Sequence, residues 1–225
     1  MTTMNKPSLE PVSERQTFRH QLQNAALSQE GILFIILMIT VAFLSTTNEN
    51  FLTSSNLFNQ GRVMAEVGLM ALPMTFIIIT GGIDLSVGSI LGLSAIVVGY
   101  TWNNLGCPLE LAMIAGLASG CLAGYFNGLF IVRLNVPPLI MTLATLAFYR
   151  GLAQGISEAR SVTGYPDWFF KLGQGEILGV PTQLWLLLIG IIVTIVILRR
   201  TTVGRTLYAI GNNAVGARFS GLPVD

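Results

Sequence analysis

Charge is scarce in this sequence. Of its 225 residues only 10% are Asp, Glu, Lys or Arg, against about a quarter in an ordinary soluble domain. The net charge of +1 leaves no basic surplus to hold a phosphate backbone, which argues against nucleic acid as a partner. Cysteine is almost missing: Cys107 and Cys121 are too few for a disulfide scaffold. Neither has a His or Cys neighbour at zinc-ligand spacing. The one histidine, His20, lies in a polar N-terminal stretch, and no paired-carboxylate cluster occurs, so no catalytic residue, metal or cofactor is expected. A Gly-x-x-x-x-Gly-Lys-Ser/Thr phosphate cradle is also lacking, so any ATP must be handled by a separate chain.

What the sequence has is apolar length: 52% of residues are in the apolar set. The reading is an all-α polytopic membrane protein with about six transmembrane helices. The segments run from Gly31 to about Ser45, Arg62 to Thr80, Val87 to Trp102, Leu109 to Val132, Pro137 to Gly155 and Gln183 to Leu198. Most approach the ~20 residues that cross ~30 Å of hydrocarbon. The first could be a signal-peptide core, but the five that follow favour a span. Residues 1–29 form a polar tail, 30–198 the transmembrane domain and 199–225 a polar terminal stretch. Lys and Arg concentrate in the tail, at Arg133 and from Arg199 onward, whereas the opposite loops hold Arg62, Arg160 and Lys171. This asymmetry predicts a cytoplasmic N-terminus and terminal stretch, and an external loop from about Ile156 to Thr182.

Four features carry further information. Gly116, Gly120, Gly124 and Gly128 recur every fourth residue, a small-residue stripe expected to pack closely against another helix or to line a pathway. In Thr80–Ser89, Gly81 and Gly82 can break the incoming helix, and Asp84 or Ser86 can cap the next. Asp is expensive in hydrocarbon, so the stretch is either a broken helix beside a cavity or a tight turn at the surface. Glu66 and Arg150 fall inside spans at comparable depth, as an ion pair or polar lining, or else snorkelling separately to the headgroups. Pro137 and Pro138 suit the first turn of a helix.

The terminal stretch reads as a helix stop at Gly211 and Asn212 and a possible N-cap at Asn213. About two turns then follow from Ala214 to Ser220, with Arg218 and Phe219, closed by Gly221 and Pro223. Such a helix is either an interfacial filler or a docking element.

Taken together, Ile79–Ser89, Val136–Leu146 with Tyr149–Gly151, and Gly204–Asn213 with Ser220–Val224 resemble the permeases of bacterial ABC importers for ribose and related simple sugars. Pro138, Ala144 and Gly216 depart from residues common there. The resemblance implies an inner-membrane, multi-pass subunit without enzymatic activity. Its partners would be an ABC ATP-binding subunit, a periplasmic sugar-binding protein, a second permease subunit and membrane lipid. It assigns the ATPase contact to Gly211, Asn212, Asn213, Arg218, Ser220 and Gly221, and favours docking over filler. Family members continue with further helices, so a truncated or partial permease is expected. A gradient-driven transporter, with Asp84 binding a proton or cation, is the alternative, and a furanosyl autoinducer the alternative cargo.

Overall fold

The computed structural model of the chain describes residues 28–224, so the expected polar tail lies outside the described residues up to residue 27. The chain divides into two units, residues 1–59 and 60–225. In the first, α1 spans Gln29–Thr47, and the Ser28 hydroxyl caps it by accepting the Gly31 amide at 3.1 Å. None of its residues is buried, and it is apolar on every side, the pattern of a helix whose surroundings are themselves apolar.

The second helix, α2, spans Ser54–Ile79 and begins eight residues before the expected start. Its first turns are polar, and the Thr53 hydroxyl takes the Asn56 amide at 3.4 Å, so hydropathy alone hides them. Next come α3 at Val87–Asn103, α4 at Leu109–Arg133 and α5 at Pro138–Ser157. Proline at the head of α4 and α5 costs nothing, because first-turn amides have no helical partner. α6 is Asp167–Gln174, β1 Glu176–Ile177, β2 Val180–Pro181 and α7 Thr182–Arg200. Two short helices close the chain, α8 at Thr202–Asn212 and α9 at Ala214–Phe219.

Five of these helices, α1, α2, α4, α5 and α7, are long and apolar enough to cross a membrane; α3, with 17 residues, is shorter. At most 28% of the apolar window of any of the five is buried against protein.

In the second unit α3 packs on α4 and α5. Leu93, Ala123 and Tyr149 form the buried centre, flanked by Ile90, Val97 and Ala153. A second contact joins α2 and α7: a β-carbon on Gly68 would lie 2.9 Å from Leu187 Cδ1, and one on Gly190 2.6 Å from Leu72 Cδ1. Glycine therefore admits leucine from the facing helix, the close approach that holds helices together where lipid gives no hydrophobic drive.

The expected loop between α5 and α7 carries structure. β1 and β2 pair antiparallel through a two-residue turn, the one strand pair among the described residues, whose other elements are helices. Leu178 and Gly179 both take positive φ there, as a two-residue hairpin turn requires. Trp102 of α3 stacks on Tyr165, ring centroids 4.7 Å apart, and Trp185 Nε1 donates to Ile177 O at 3.2 Å. Burial raises the pKa of the Tyr165 hydroxyl above the ordinary phenol value.

Candidate functional site

Helical geometry stops at Ile79 and resumes at Val87. Gly81 sits at φ +80, where a β-carbon is strained, and turns the chain. The Gly82 amide returns to Ile77 O at 2.9 Å, satisfying a carbonyl at the end of α2. Asp84 then closes the connection: its Oδ1 accepts the Ser86 amide and the Ser86 hydroxyl, each at 2.7 Å. Of the two expected caps, Asp84 thus bonds to the chain entering α3, whereas the Ser86 side chain caps no amide.

Ser86 is fully buried and connects the segment to two other helices. Asn127 Nδ2 of α4 donates to Ser86 Oγ at 2.8 Å. Tyr149 OH of α5 points its single proton at Ala123 O, 2.9 Å away, and Asn127 Oδ1, 3.2 Å away. Donation therefore runs from Tyr149 through Asn127 and Ser86 to the Asp84 carboxylate. Thr142 Oγ1 adds a contact of 3.3 Å to Ile83 O. Asn127 stands six residues before Arg133, the end of α4, or about 9 Å along the axis. The segment between α2 and α3 is thus tied to α4 and α5 through the buried Ser86, while Gly81, Ile83 and Leu85 stay exposed.

A cavity of about 780 Å³ opens beside it, lined among others by Thr80, Asp84, Asn127, Gly128, Thr142 and Thr206. Small-ligand pockets span about 300–1,000 Å³. The lining offers hydroxyls, one amide and one carboxylate among apolar side chains, a surface that can exchange hydrogen bonds with a neutral solute.

The glycine stripe divides. A β-carbon on Gly116 would collide with Val98 Cγ2, and one on Gly120 would lie 3.0 Å from Ser94 Oγ, so these two pack against α3. Gly124 and Gly128 meet nothing within 4 Å and line the cavity instead. Each four-residue step turns about 40° round the axis, so the row spirals off the packed face. The two alternatives for the row thus divide along one helix, with Gly116 and Gly120 against α3 and Gly124 and Gly128 bordering the cavity.

The terminal stretch reaches the same place. Helix α8 fills residues before the expected stop, for which the sequence set no helix bounds, and it ends at Asn212, the second residue of that Gly211–Asn212 stop. Any β-carbon on Gly211 would overlap Ile79 O, at the end of α2. Asn213 leaves helical geometry, and its Oδ1 caps α9 by accepting the Gly216 amide at 2.9 Å. Gly221, at φ +76, ends α9, with the Leu222 amide returning to Ala217 O at 3.0 Å. Ala217 is buried, whereas Val215, Arg218, Phe219 and Ser220 are exposed.

Glu66 and Arg150 are not brought together. Both are exposed, and among the described residues the ion pairs are Arg62–Glu176 at 2.9 Å and Arg160–Glu158 at 3.5 Å. Because α2 starts at Ser54, Glu66 lies about 18 Å into it rather than near its end. Moreover α2 faces α7, while Arg150 opens onto a pocket shared with α3.

Sequence reasoning missed Asn127, Thr142 and the role of Tyr149. Asn127 carried a signal: an amide between Gly124 and Gly128 in an apolar helix needs a polar partner.

Residues 56–225 match the family described as branched-chain amino acid transport system / permease component. The chain is 40% identical over 217 residues to the ribose import permease protein RbsC of Bacillus subtilis (strain 168), covering 93% of this chain and 67% of that relative. It is 32% identical over 216 residues to the ribose import permease protein RbsC of Haemophilus influenzae, covering 94% and 66%. It is 31% identical over 211 residues to the autoinducer 2 import system permease protein LsrC of Yersinia enterocolitica, covering 92% and 58%. The chain thus spans about two thirds or less of the length of these relatives. No solved structure matches it significantly. With five helices fit to cross a bilayer and a family match over most of its length, this chain belongs to the multi-pass membrane proteins of the branched-chain amino acid transport system / permease component family.

Proposed function

We propose that this chain is a permease subunit of an ATP-driven ABC importer that moves a simple sugar, a pentose or related monosaccharide, across the bacterial inner membrane. The single observation that carries the reading is the seat of Gly211 on the Ile79 carbonyl, beside a polar cavity. That contact gives a partner gripping the terminal helices a direct hold on the end of α2. Relatives named for ribose and for autoinducer 2 support the cargo class. A zwitterionic amino acid would need a fixed cation and a fixed anion, whereas the cavity lining is mostly hydroxyl, amide and apolar.

In this reading Arg133, Arg199 and Arg200 mark the cytoplasmic end, and the N-terminus and residues 199–225 lie on that side. Six crossings result, because α3 starts about 9 Å inside the membrane and its 17 residues cover the remaining ~25 Å. Gly81, Gly82, Asp84 and Ser86 form a broken-helix gate at the cavity. Gly116 and Gly120 let α4 rock on α3, and the ATP-binding subunit holds α9 and its flanks from Gly211 to Gly221. A periplasmic sugar-binding protein delivers cargo to the opposite end, and a second permease subunit completes the path.

The test is uptake of labelled D-ribose, D-xylose and D-galactose into proteoliposomes that hold the permease, its ATP-binding subunit and the binding protein. Uptake that requires ATP hydrolysis supports the proposal. Uptake that survives removal of the ATPase and collapses with the proton gradient overturns it in favour of a gradient-driven transporter.

A further inference from the structure

Two cavities lie along one seam between α3 and α5. One, of about 410 Å³, is lined by Gly88, Ser89, Gly92, Arg150 and Gln154 among others. The next, of about 530 Å³, lies toward the ends of the same helices and includes Tyr100, Asn103, Asn104, Ser157, Glu158 and Arg160. Along α3 the lining residues recur as Ser89, Gly92, Ile96, Tyr100 and Asn103, and along α5 as Leu146, Arg150, Gln154 and Ser157. Steps of three and four keep each set on one helix face, so both cavities open on the same side of the pair. Tyr149 turns to the buried network, while its neighbour Arg150 turns to this groove.

Arg150 fixes the chemistry. It stands seven residues before the end of α5, about 10 Å along the axis, and enters neither of the ion pairs found among the described residues. A guanidinium in hydrocarbon is costly, and such groups face a partner or a water-filled cavity. Its neighbours in the groove are hydroxyl and amide, Ser89 and Gln154, rather than carboxylate. A guanidinium offers five donors and an amide both donor and acceptor, which suits adjacent hydroxyl groups. At the wider end, Glu158 and Arg160 balance each other's charge 3.5 Å apart. Asn103, Asn104 and the Tyr100 ring add amides and a flat apolar face.

Resting on the importer reading, we infer that this groove, marked by Ser89, Arg150, Gln154, Asn103, Asn104 and Ser157, is a weak binding track along which a neutral polyhydroxylated solute passes. It is distinct from the cavity beside Asp84, with which it shares no lining residue.

The experiment uses the full chain in lipid nanodiscs with Cys107→Ser and Cys121→Ser. Single cysteines are placed at Ser89, Gln154 or Asn103 and reacted with a water-soluble methanethiosulfonate. All three should label, and D-ribose, D-xylose or D-galactose should slow labelling severalfold while inorganic phosphate leaves it unchanged. Arg150→Gln should abolish protection and Arg150→Lys restore part of it. Cysteines that do not react, that no sugar protects, or that phosphate alone protects overturn the track. ATP-driven uptake with unprotected cysteines sinks the track and spares the importer reading; protected cysteines with ATPase-independent uptake do the reverse.

Discussion

Gly211 lies so close to the backbone carbonyl of Ile79 that the space between α8 and the end of α2 admits no side chain. Because the obstacle is backbone, an added methyl cannot be met by a rotamer change. Gly211→Ala should displace α8 from α2, with a strain of about 1–3 kcal/mol typical of overpacking. Sugar uptake should fall about tenfold or more, since each ~1.4 kcal/mol is a decade in rate, while ATP hydrolysis by the partner continues. Transport and hydrolysis measured on the same proteoliposomes check this; unchanged coupling would remove Gly211 from the pathway.

The chain from Tyr149 through Asn127 and Ser86 to Asp84 joins three elements with buried polar atoms. Asn127→Ala leaves Ser86 without its donor and should cost about 1–3 kcal/mol. Tyr149→Phe should cost less, about 0.5–1.5 kcal/mol, because the ring keeps its packing. Ser86→Ala and Asn127→Ala should couple, by about 0.5–3 kcal/mol in a double-mutant cycle read from denaturant unfolding in detergent. Additive effects would mean the two residues act independently.

The two halves of the glycine row should respond in opposite ways. Gly116→Leu meets Val98 and the Ser94 carbonyl and should prevent assembly, seen as loss of folded protein after extraction. Gly124→Leu meets open space and should leave the fold intact while narrowing the cavity, seen as normal yield with reduced uptake. Equal yields for both variants would contradict the division.

How far these features were legible in the sequence depends on the range of the interaction behind them. Apolar runs located the six apolar helices because transfer to lipid is a sum over neighbouring residues. The polar first turns of α2 carried no such sum, so Ser54–Gly61 stayed hidden. Gly81 and Gly82 marked the chain break, and Asn213 marked its cap, because both act through local backbone geometry. Which face met which helix was not local. The four-residue glycine period left packing and pathway lining open for the whole row, and the drift of that period put Gly124 and Gly128 on the cavity. Glu66 and Arg150 looked comparable in depth along the chain, but their helices face different neighbours. Gly211 and Asn212 marked the local end of α8, but the carbonyl that Gly211 admits comes from 132 residues earlier and left no local signal.

The stability of α9 and its recognition by a partner rest on different residues. Asn213 caps the helix at 2.9 Å, and losing such a cap costs about 0.5–2 kcal/mol, so Asn213→Ala should fray α9 and Asn213→Asp should hold it. Phe219 is 88% exposed and Val215 65%, four residues apart on one face of the same helix, so neither contributes much to the fold. A large aromatic left in water beside Arg218 has the composition of an interface anchor, and truncating one commonly costs more than 2 kcal/mol of binding. Phe219→Ala should therefore leave the unfolding midpoint unchanged and weaken retention of the ATP-binding subunit about thirtyfold, read by titrating the purified pair. Asn213→Ala should weaken it through helix content, with partial rescue by Asn213→Asp. If Phe219→Ala binds the ATPase as well as the parent chain, the face of α9 that carries Val215 and Phe219 is not the one the partner holds.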